Sequence, residues 1–587
     1  MVRSLRRILV LYRPYLGRLI LSQVSLLLSA LCAISVAGLT STMINEGLLA
    51  KDTSVITDTG IWMGVLAVLS GVFMAITAAL AVVFAHGTGY AMRTMAYDQI
   101  QTFSFGNFDR FRTGNLLVRL SSDVLNVQNA VLYAILLILY APFMVIIAFV
   151  LALLTTPGLV WILVAAAVMV LAVMAVIAPR IDRAYIERQE RLDAVNNALQ
   201  ENLSGVRVVK SFVREDLESE QFAERADALR TPAFRAAFNV ALLTPLLNVF
   251  SQVGIAVALW VGGQSVLEDH GLTVGQVSAF MQYLTLVVVP LALMAIVIPF
   301  ILRGDASARR IYEIIDARST LSDDGKLKPG TIAGRICFEN VTFAFDRADG
   351  EPNPAVLHDI NLVLEPGERV GILGATGSGK SALVNLIPRF YDVSAGKVTI
   401  DGVDVRDIPL DQLRAIVGVT LQEAVLFQGD IRTNLKFGAP DSGDEVMEQA
   451  AKAADAYGFV MNVPEQWDGE VSRRGYNFSG GQRQRLSMAR TLVPRPSVLI
   501  LDDSTSALDV ATEGRVQAAI PEFAAGVTTI YVAQRISAVI DLDRVVLMDA
   551  GMIVDVGSHE ELLERSGLYQ QIYESQLGSD VTRGAIS

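Results

Sequence analysis

Gly374-Ala375-Thr376-Gly377-Ser378-Gly379-Lys380-Ser381 follows directly on the short apolar run Val370-Gly371-Ile372-Leu373. A run of that kind is expected of a strand buried on both faces of a parallel sheet. The glycines let backbone N–H groups converge on phosphate, and the positive end of the following helix adds to the attraction. Lys380 supplies a point charge for the β- and γ-phosphates, and Ser381 offers a hydroxyl to Mg²⁺. Strand, loop and helix together specify a nucleotide-binding α/β domain.

Motifs on either side agree with that reading. Phe343-Ala344-Phe345 precedes the loop, where Phe345 could stack on an adenine ring. Val417-Gly418-Val419-Thr420-Leu421-Gln422 is an apolar strand ending in glutamine. Phe478-Ser479-Gly480-Gly481-Gln482-Arg483-Gln484-Arg485 opens a helix with small residues and an N-cap hydroxyl, suited to gripping phosphate. Val498-Leu499-Ile500-Leu501-Asp502-Asp503 is a second buried strand, followed by Ser506-Ala507-Leu508-Asp509. Thr529-Ile530-Tyr531-Val532-Ala533-Gln534-Arg535 is a third.

The other half of the chain is built for a different solvent. At 587 residues more than one domain is expected, and the excess in a 52% apolar composition sits almost wholly before residue 316. Six apolar stretches stand out there: about Leu19–Ile44, Ile61–Ala85, Ala130–Thr156, Leu159–Pro179, Val240–Val266 and Val277–Leu302. Each is long enough to cross roughly 30 Å of hydrocarbon, and in lipid each satisfies its own backbone only as a helix. The first is too long for the apolar core of a signal peptide and has no small-residue cleavage pattern behind it, so it is expected to stay in the bilayer.

Cations orient the spans. Arg3, Arg6, Arg7, Arg13 and Arg18 precede the first; Arg93, Arg110, Arg112 and Arg119 lie between the second and third; a dense set from Arg180 to Arg235 lies between the fourth and fifth. The opposite connections carry Lys51 alone, then none in Thr155–Gly158 and none in Glu268–Gly271. Both termini are therefore expected in the cytoplasm. The cation-rich connections, about 86–129 and 180–239, read as membrane helices that run on into the cytosol and turn back. Two amphipathic runs with an aromatic anchor lie within them, Phe108–Gly114 and Val208–Arg214; as sequence, each could be no more than a hairpin tip.

Net charge is −12, which makes nucleic acid an unsuitable partner. Cys32, in an apolar span, and Cys337, in an expected strand, form no metal or disulfide framework and read as packing residues. No charged residue sits mid-span, as a proton relay or ion-coupled carrier would need, so the energy source belongs elsewhere. Ser22, Gln23, Ser25, Asn248, Gln252 and Gln282 are polar within the spans, which suits helix-to-helix bonding or a substrate path.

With these motifs in place the chain resembles an ABC exporter half-transporter, nearly along its whole length. The Ser479-Gly480-Gly481-Gln482 signature is far more specific than a lone phosphate loop. The resemblance implies an α-helical six-span membrane domain (1–315), a linker (316–335, with Gly, Pro and Asp at 323–330), an α/β P-loop ABC ATPase domain (336–577) and a tail (578–587). It implies ATP and Mg²⁺ as cofactors, with Ser381, Gln422 and Asp502 toward the metal. Residues 374–382 and Phe345 would hold the nucleotide, and Ser479–Gln482 would grip it from across a dimer. Gln422 resembles the Q-loop glutamine and Asp509 the D-loop aspartate. The two amphipathic runs resemble coupling helices, the second of which docks on the partner's ATPase domain. A lipid bilayer, a second half-transporter and a small amphipathic or lipid-like substrate are the implied partners. The cytoplasmic (inner) membrane of a bacterium is the implied location.

Two positions depart from the family pattern. Asp503 stands where a glutamate polarises the attacking water, and Gln534 stands where a switch histidine meets the γ-phosphate. The register is secure, because Asp502-Asp503-Ser504-Thr505 runs straight into Ser506–Asp509. All four histidines, His86, His270, His358 and His559, are elsewhere. Aspartate falls over about 1 Å short of a water that should lie within about 2.6–3.2 Å, and glutamine cannot carry the proton. Ala382 also lacks a hydroxyl usual in the family, and Phe478 replaces a leucine. The expectation is a degenerate, slow site here and a hydrolytic site on a partner that uses this chain's signature. A homodimer with two slow sites, an ATP-sensing regulatory subunit and uptake rather than export stay open at this level. Lipids, amphipathic drugs and peptides suit the spans equally.

Overall fold

The computed structural model describes residues 7, 16–268, 271–323, 325, 330, 332–345 and 353–577. Part of the expected linker (324, 326–329 and 331), the tail, and the cations Arg3, Arg6 and Arg13 lie outside the described residues. The chain divides into two compact units, Met1–Gln101 with Gly114–Ala317, and Thr102–Thr113 with Arg318–Ser587.

Among the described residues, the first unit contains six helices long and apolar enough to cross a membrane. They are α1 (Leu16–Thr42), α2 (Thr53–Gln101), α4 (the run Thr113–Thr155), α5 (Val160–Ser204), α7 (Glu215–Leu267) and α8 (Val274–Ile315). Each of the six stretches expected from hydropathy falls on one of them. α2, α5 and α7 continue far beyond their apolar stretches as helix. Prolines 179, 245, 290 and 299 sit inside helices within the apolar stretches, a placement membrane helices tolerate because neighbouring groups re-satisfy the freed carbonyls. A short helix, α6 (Val206–Ser211), joins α5 to α7 and has no buried residue.

Some of the polar side chains in the spans join helices. The Ser25 and Ser29 hydroxyls donate to the Phe73 and Ser70 carbonyls of α2 at 2.8 and 3.0 Å, and Gln282 donates to Thr40 at 3.0 Å. Outside that pattern, the Ser22 hydroxyl and the Gln23 amide find no hydrogen-bond partner among the described residues, and Asn248 and Gln252 are exposed on α7.

The second unit is an α/β domain. Its main sheet has the order β12-β11-β3-β10-β9-β6, formed by Met552–Gly557, Arg544–Asp549, Arg369–Leu373, Thr528–Ala533, Val498–Asp502 and Val417–Thr420. All neighbours are parallel except β11 and β12. Alternation along the strands explains the layering. Leu499, Leu501, Tyr531 and Ala533 pack into one apolar cluster, and Val498, Ile500, Ile530 and Val532 into another on the opposite face. Strands buried on both sides need such uninterrupted apolar runs, which is why β9 and β10 were legible. A second sheet, β2-β1-β4-β5, is formed by Leu357–Leu364, Ile336–Phe343, Ala395–Ile400 and Val403–Asp404, and its apolar face joins the second cluster.

The short helix α3 (Phe105–Phe111) belongs to this second unit by its contacts. Phe105 stacks on Phe390 with ring centroids 4.3 Å apart, and Tyr391 donates to the Asp109 carboxylate at 2.9 Å. Asn107 bonds Arg318 O and Thr320 N at 2.9 and 3.1 Å. The amphipathic run expected at 108–114 thus begins earlier, at a Ser104–Asn107 capping box, and ends at Arg112, whose φ is 44°. Phe105, rather than Phe108, is the ring that stacks on Phe390.

Candidate nucleotide site

The loop between β3 and α9 (Lys380–Asn385) turns through Gly377 and Gly379, whose φ values of 85° and 97° suit glycine alone. Gly374 is needed for a different reason: a Cβ there would lie 2.3 Å from the Met548 carbonyl oxygen. The loop is therefore wedged against β11 and cannot relax outward. Lys380 donates to the carbonyls of Gly374 and Ala375 at 2.8 and 2.9 Å. Burial pulls its pKa below the ordinary lysine value, against the raising effect of Asp503 and Asp502.

Ser381 donates to Asp502 Oδ1 at 3.0 Å, which joins the start of α9 to the end of β9. Asp502 is buried, and burial pushes its carboxyl above the usual aspartate range, with the neighbouring Asp503 charge adding to the rise. A hydroxyl beside a carboxylate starved of solvation is a hard-oxygen pair that fits Mg²⁺. That ion takes one or two protein oxygens and shares the rest of its shell with phosphate and water. Among the described residues no three His, Cys, Asp or Glu side chains group as an all-protein metal cage, so the phosphates would complete the coordination.

Asp503 begins the turn after β9 with φ 46°, and its N–H donates to Val532 O on β10 at 3.0 Å. Aspartate tolerates this left-handed conformation better than longer side chains. Its Oδ2 accepts from the side-chain amides of Gln422 and Gln534, each at 3.2 Å. Gln534 in turn accepts from the Thr376 hydroxyl at 3.3 Å. A polar chain therefore runs from the phosphate loop through Gln534 and Asp503 to Gln422. The structure brings together here the β9, β10, β6 and phosphate-loop residues singled out in the sequence. No histidine stands among them.

Phe345 is half-buried, edge-on to Phe343 and Tyr391 with centroids 4.8 and 5.2 Å away. Ala382 is buried in the apolar cluster, so its missing hydroxyl is matched by packing. Ser479 caps α10 (Gly480–Leu492): it accepts from Gln482 N–H at 3.2 Å, and Gln482 Oε1 accepts from Ser479 N–H at 2.8 Å. Gln482 is thus engaged in the cap, whereas Gln484 reaches the turn after β9, accepting from Ala507 N–H at 3.1 Å. Among the described residues, no hydrogen bond joins Ser479 or Gln482 to the Lys380–Asp503 set. Asp509 likewise caps α11 (Val510–Phe523), accepting from Thr512 N–H and hydroxyl at 2.9 Å each.

Comparison with known proteins bears on both units. Residues 19–291 match the model of the ABC transporter transmembrane region, and residues 357–506 that of the ABC transporter domain. The chain is 33% identical to YfiB of Bacillus subtilis, an uncharacterized ABC transporter ATP-binding protein, over 92% of each. It is 31% identical to an ATP-dependent lipid A-core flippase of Syntrophus aciditrophicus, over 98% of this chain and 95% of the flippase. A solved structure of a bacterial Atm1-family ABC exporter with ATP bound superposes with a TM-score of 0.76 at 25% identity, over 97% and 99% of the two chains.

Proposed function

The chain belongs to the ABC transporter family, as an exporter-type half-transporter with an ATPase domain, and from that premise we propose that its own nucleotide site grips MgATP but hydrolyses it slowly. In this reading Phe345 meets the adenine, residues 374–382 and Lys380 hold the phosphates, and Ser381, Gln422 and Asp502 face Mg²⁺. Ser479, Gly480 and Gly481 serve a second site, built on the Walker residues of a partner half-transporter. Turnover there resets the pump.

The observation that carries the proposal is the environment of Asp503. The short carboxylate is held by two amides, Gln422 and Gln534, and neither can accept or relay a proton. Positioning and electrostatics supply nearly all the catalysis in phosphoryl transfer, so a site weak in both retains binding without speed. The uneven exposure of the two coupling runs supports a partner. α3 is packed onto residues of its own ATPase unit, whereas Val208, Phe212 and Val213, in and beyond α6, are 60%, 72% and 79% exposed. Such an apolar tip suits burial against another subunit.

The boundaries expected above, a six-span domain at 1–315 and an ATPase domain at 336–577, fit this account. So do cytoplasmic termini in a bacterial inner membrane, given the arginine distribution. A lipid-like amphipath is the substrate class we favour, because a related protein is named for lipid A-core flipping and the spans offer uncharged polar groups among apolar ones. ATP binding would close the ATPase domains and swing the membrane helices.

The test is asymmetric disablement. Lys380→Ala in this chain should leave substantial ATPase activity in the assembled transporter, while the equivalent change in the partner abolishes it. Equal loss from either change would exclude a degenerate site on this chain and favour a homodimer.

A further inference from the structure

Gln534 lies just past the end of β10, so the place of its side chain is set by the backbone that follows. That backbone is held from the C-terminal helix α12 (Gly567–Leu577). Gln576 Nε2 donates to Gln534 O at 2.9 Å, and Gln576 Oε1 accepts from Ile536 N–H at 2.7 Å. One amide thus clamps the main chain on both sides of Arg535. Reversing the amide would set donor against donor and acceptor against acceptor, so the geometry fixes its orientation.

Other contacts fix the loop from the opposite side. Arg535 donates to Thr505 O at 3.2 Å and pairs with Glu513 at 3.4 Å, and Gln517 donates to Ala538 O at 3.0 Å. On the α12 side a cleft of about 330 Å³ separates Gly374, Ala375 and Gln534 from Gln571, Ile572 and Ser575. Close packing therefore does not hold the Gln534 backbone there. Tyr569 and Tyr573 anchor α12 in the apolar core, which gives the clamp a fixed base. Gln576 itself is exposed, so its replacement leaves that core intact.

We propose that Gln576 is a positioning residue: it holds the switch loop from the C-terminal helix so that Gln534 can meet the γ-phosphate. This rests on the reading of Gln534 as the γ-phosphate contact. Gln576 touches neither nucleotide nor metal, and its influence passes through the loop backbone.

The test compares the affinities of Mg–AMPPNP and Mg–ADP for the full-length chain in lipid nanodiscs, assembled with its partner where one is required. A hydrogen bond to a charged group is worth about 1.5–3 kcal/mol, so Gln534→Ala should lower the triphosphate-over-diphosphate preference by about tenfold to a hundredfold. Gln576→Ala should do the same with ADP affinity unchanged, and the double variant should add little to Gln534→Ala alone. Gln576→Glu keeps the bond from Ile536 N–H but sets a carboxylate against Gln534 O, so it should also fall short of wild type. A normal preference in Gln576→Ala beside a reduced one in Gln534→Ala would overturn this proposal alone. Equal losses for both nucleotides in Gln576→Ala would mark a structural role and also overturn it. A normal preference in both single variants would remove the Gln534 reading, and this proposal with it.

Discussion

Asp503→Glu, alone and with Gln534→His, tests the physical core of the degenerate-site account. The added methylene contributes one C–C bond of about 1.5 Å, which advances the carboxylate by over about 1 Å toward the water position. It also carries the carboxylate out of the reach of Gln422 and Gln534, whose 3.2 Å bonds to Oδ2 are already long. A misplacement near 1 Å costs on the order of a hundredfold, so the reverse correction should recover a comparable factor, about 2.7 kcal/mol of barrier. Gln534→His restores a group able to carry charge, and the two should act as a unit, the pair exceeding either alone. There is an opposing term. Residue 503 has φ 46°, and glutamate fits that conformation less well, at a cost of up to about 1 kcal/mol, or about 2–4 °C in Tm for a domain of this size. The assay is single-turnover hydrolysis of radiolabelled ATP by the reconstituted transporter, with the partner's P-loop lysine replaced so that only this site turns over. Faster turnover in a slightly less stable protein is the expected combination. An unchanged rate in the double variant, with nucleotide still bound, would refute the reasoning from reach and charge.

Two further outcomes follow from the site and from α3. Asp502 has a folded-state pKa raised by burial, so the stability it contributes is full below the unfolded value of about 3.9 and is lost as pH rises through the folded pKa. Asp502→Asn should therefore raise the Tm of the nucleotide-free protein at neutral pH, with the gain closing as pH falls to about 4, while Mg²⁺-dependent ATP binding is lost; a lower Tm at neutral pH would contradict this. Phe105→Ala removes the 4.3 Å stack on Phe390, worth about 0.5–1.5 kcal/mol beyond its area. It should leave ATPase activity largely intact while reducing substrate movement in vesicles, and parallel loss of both would show that α3 does not couple them.

How far these features were readable from sequence depended on whether the signal was local. The phosphate loop, β9 and β10 announce themselves because buried parallel strands need unbroken apolar runs and the loop needs glycine. The six spans follow from length and hydropathy, since lipid permits nothing but helix for such segments. What escaped was pairing across distance. Phe105 stacks on Phe390, 285 positions away by their numbers, and only the Ser104–Asn107 cap hints locally that a helix starts there. Gln576, near the end of the chain, carries no local mark of its bonds to residues 534 and 536. The left-handed backbone at Asp503 was likewise hidden, because aspartate enters that region without a glycine to flag it.

The most direct measurement is the fate of ATP on this chain's own site. Full-length protein in nanodiscs is loaded with radiolabelled MgATP, stripped of free nucleotide, and sampled over minutes for bound ATP and ADP. Intact triphosphate that persists, with turnover far below the roughly 1 s⁻¹ at the low end for ordinary enzymes, is the predicted result. Rapid conversion to ADP by a chain carrying Asp503 and Gln534 would contradict the claim that this pocket binds without efficient hydrolysis.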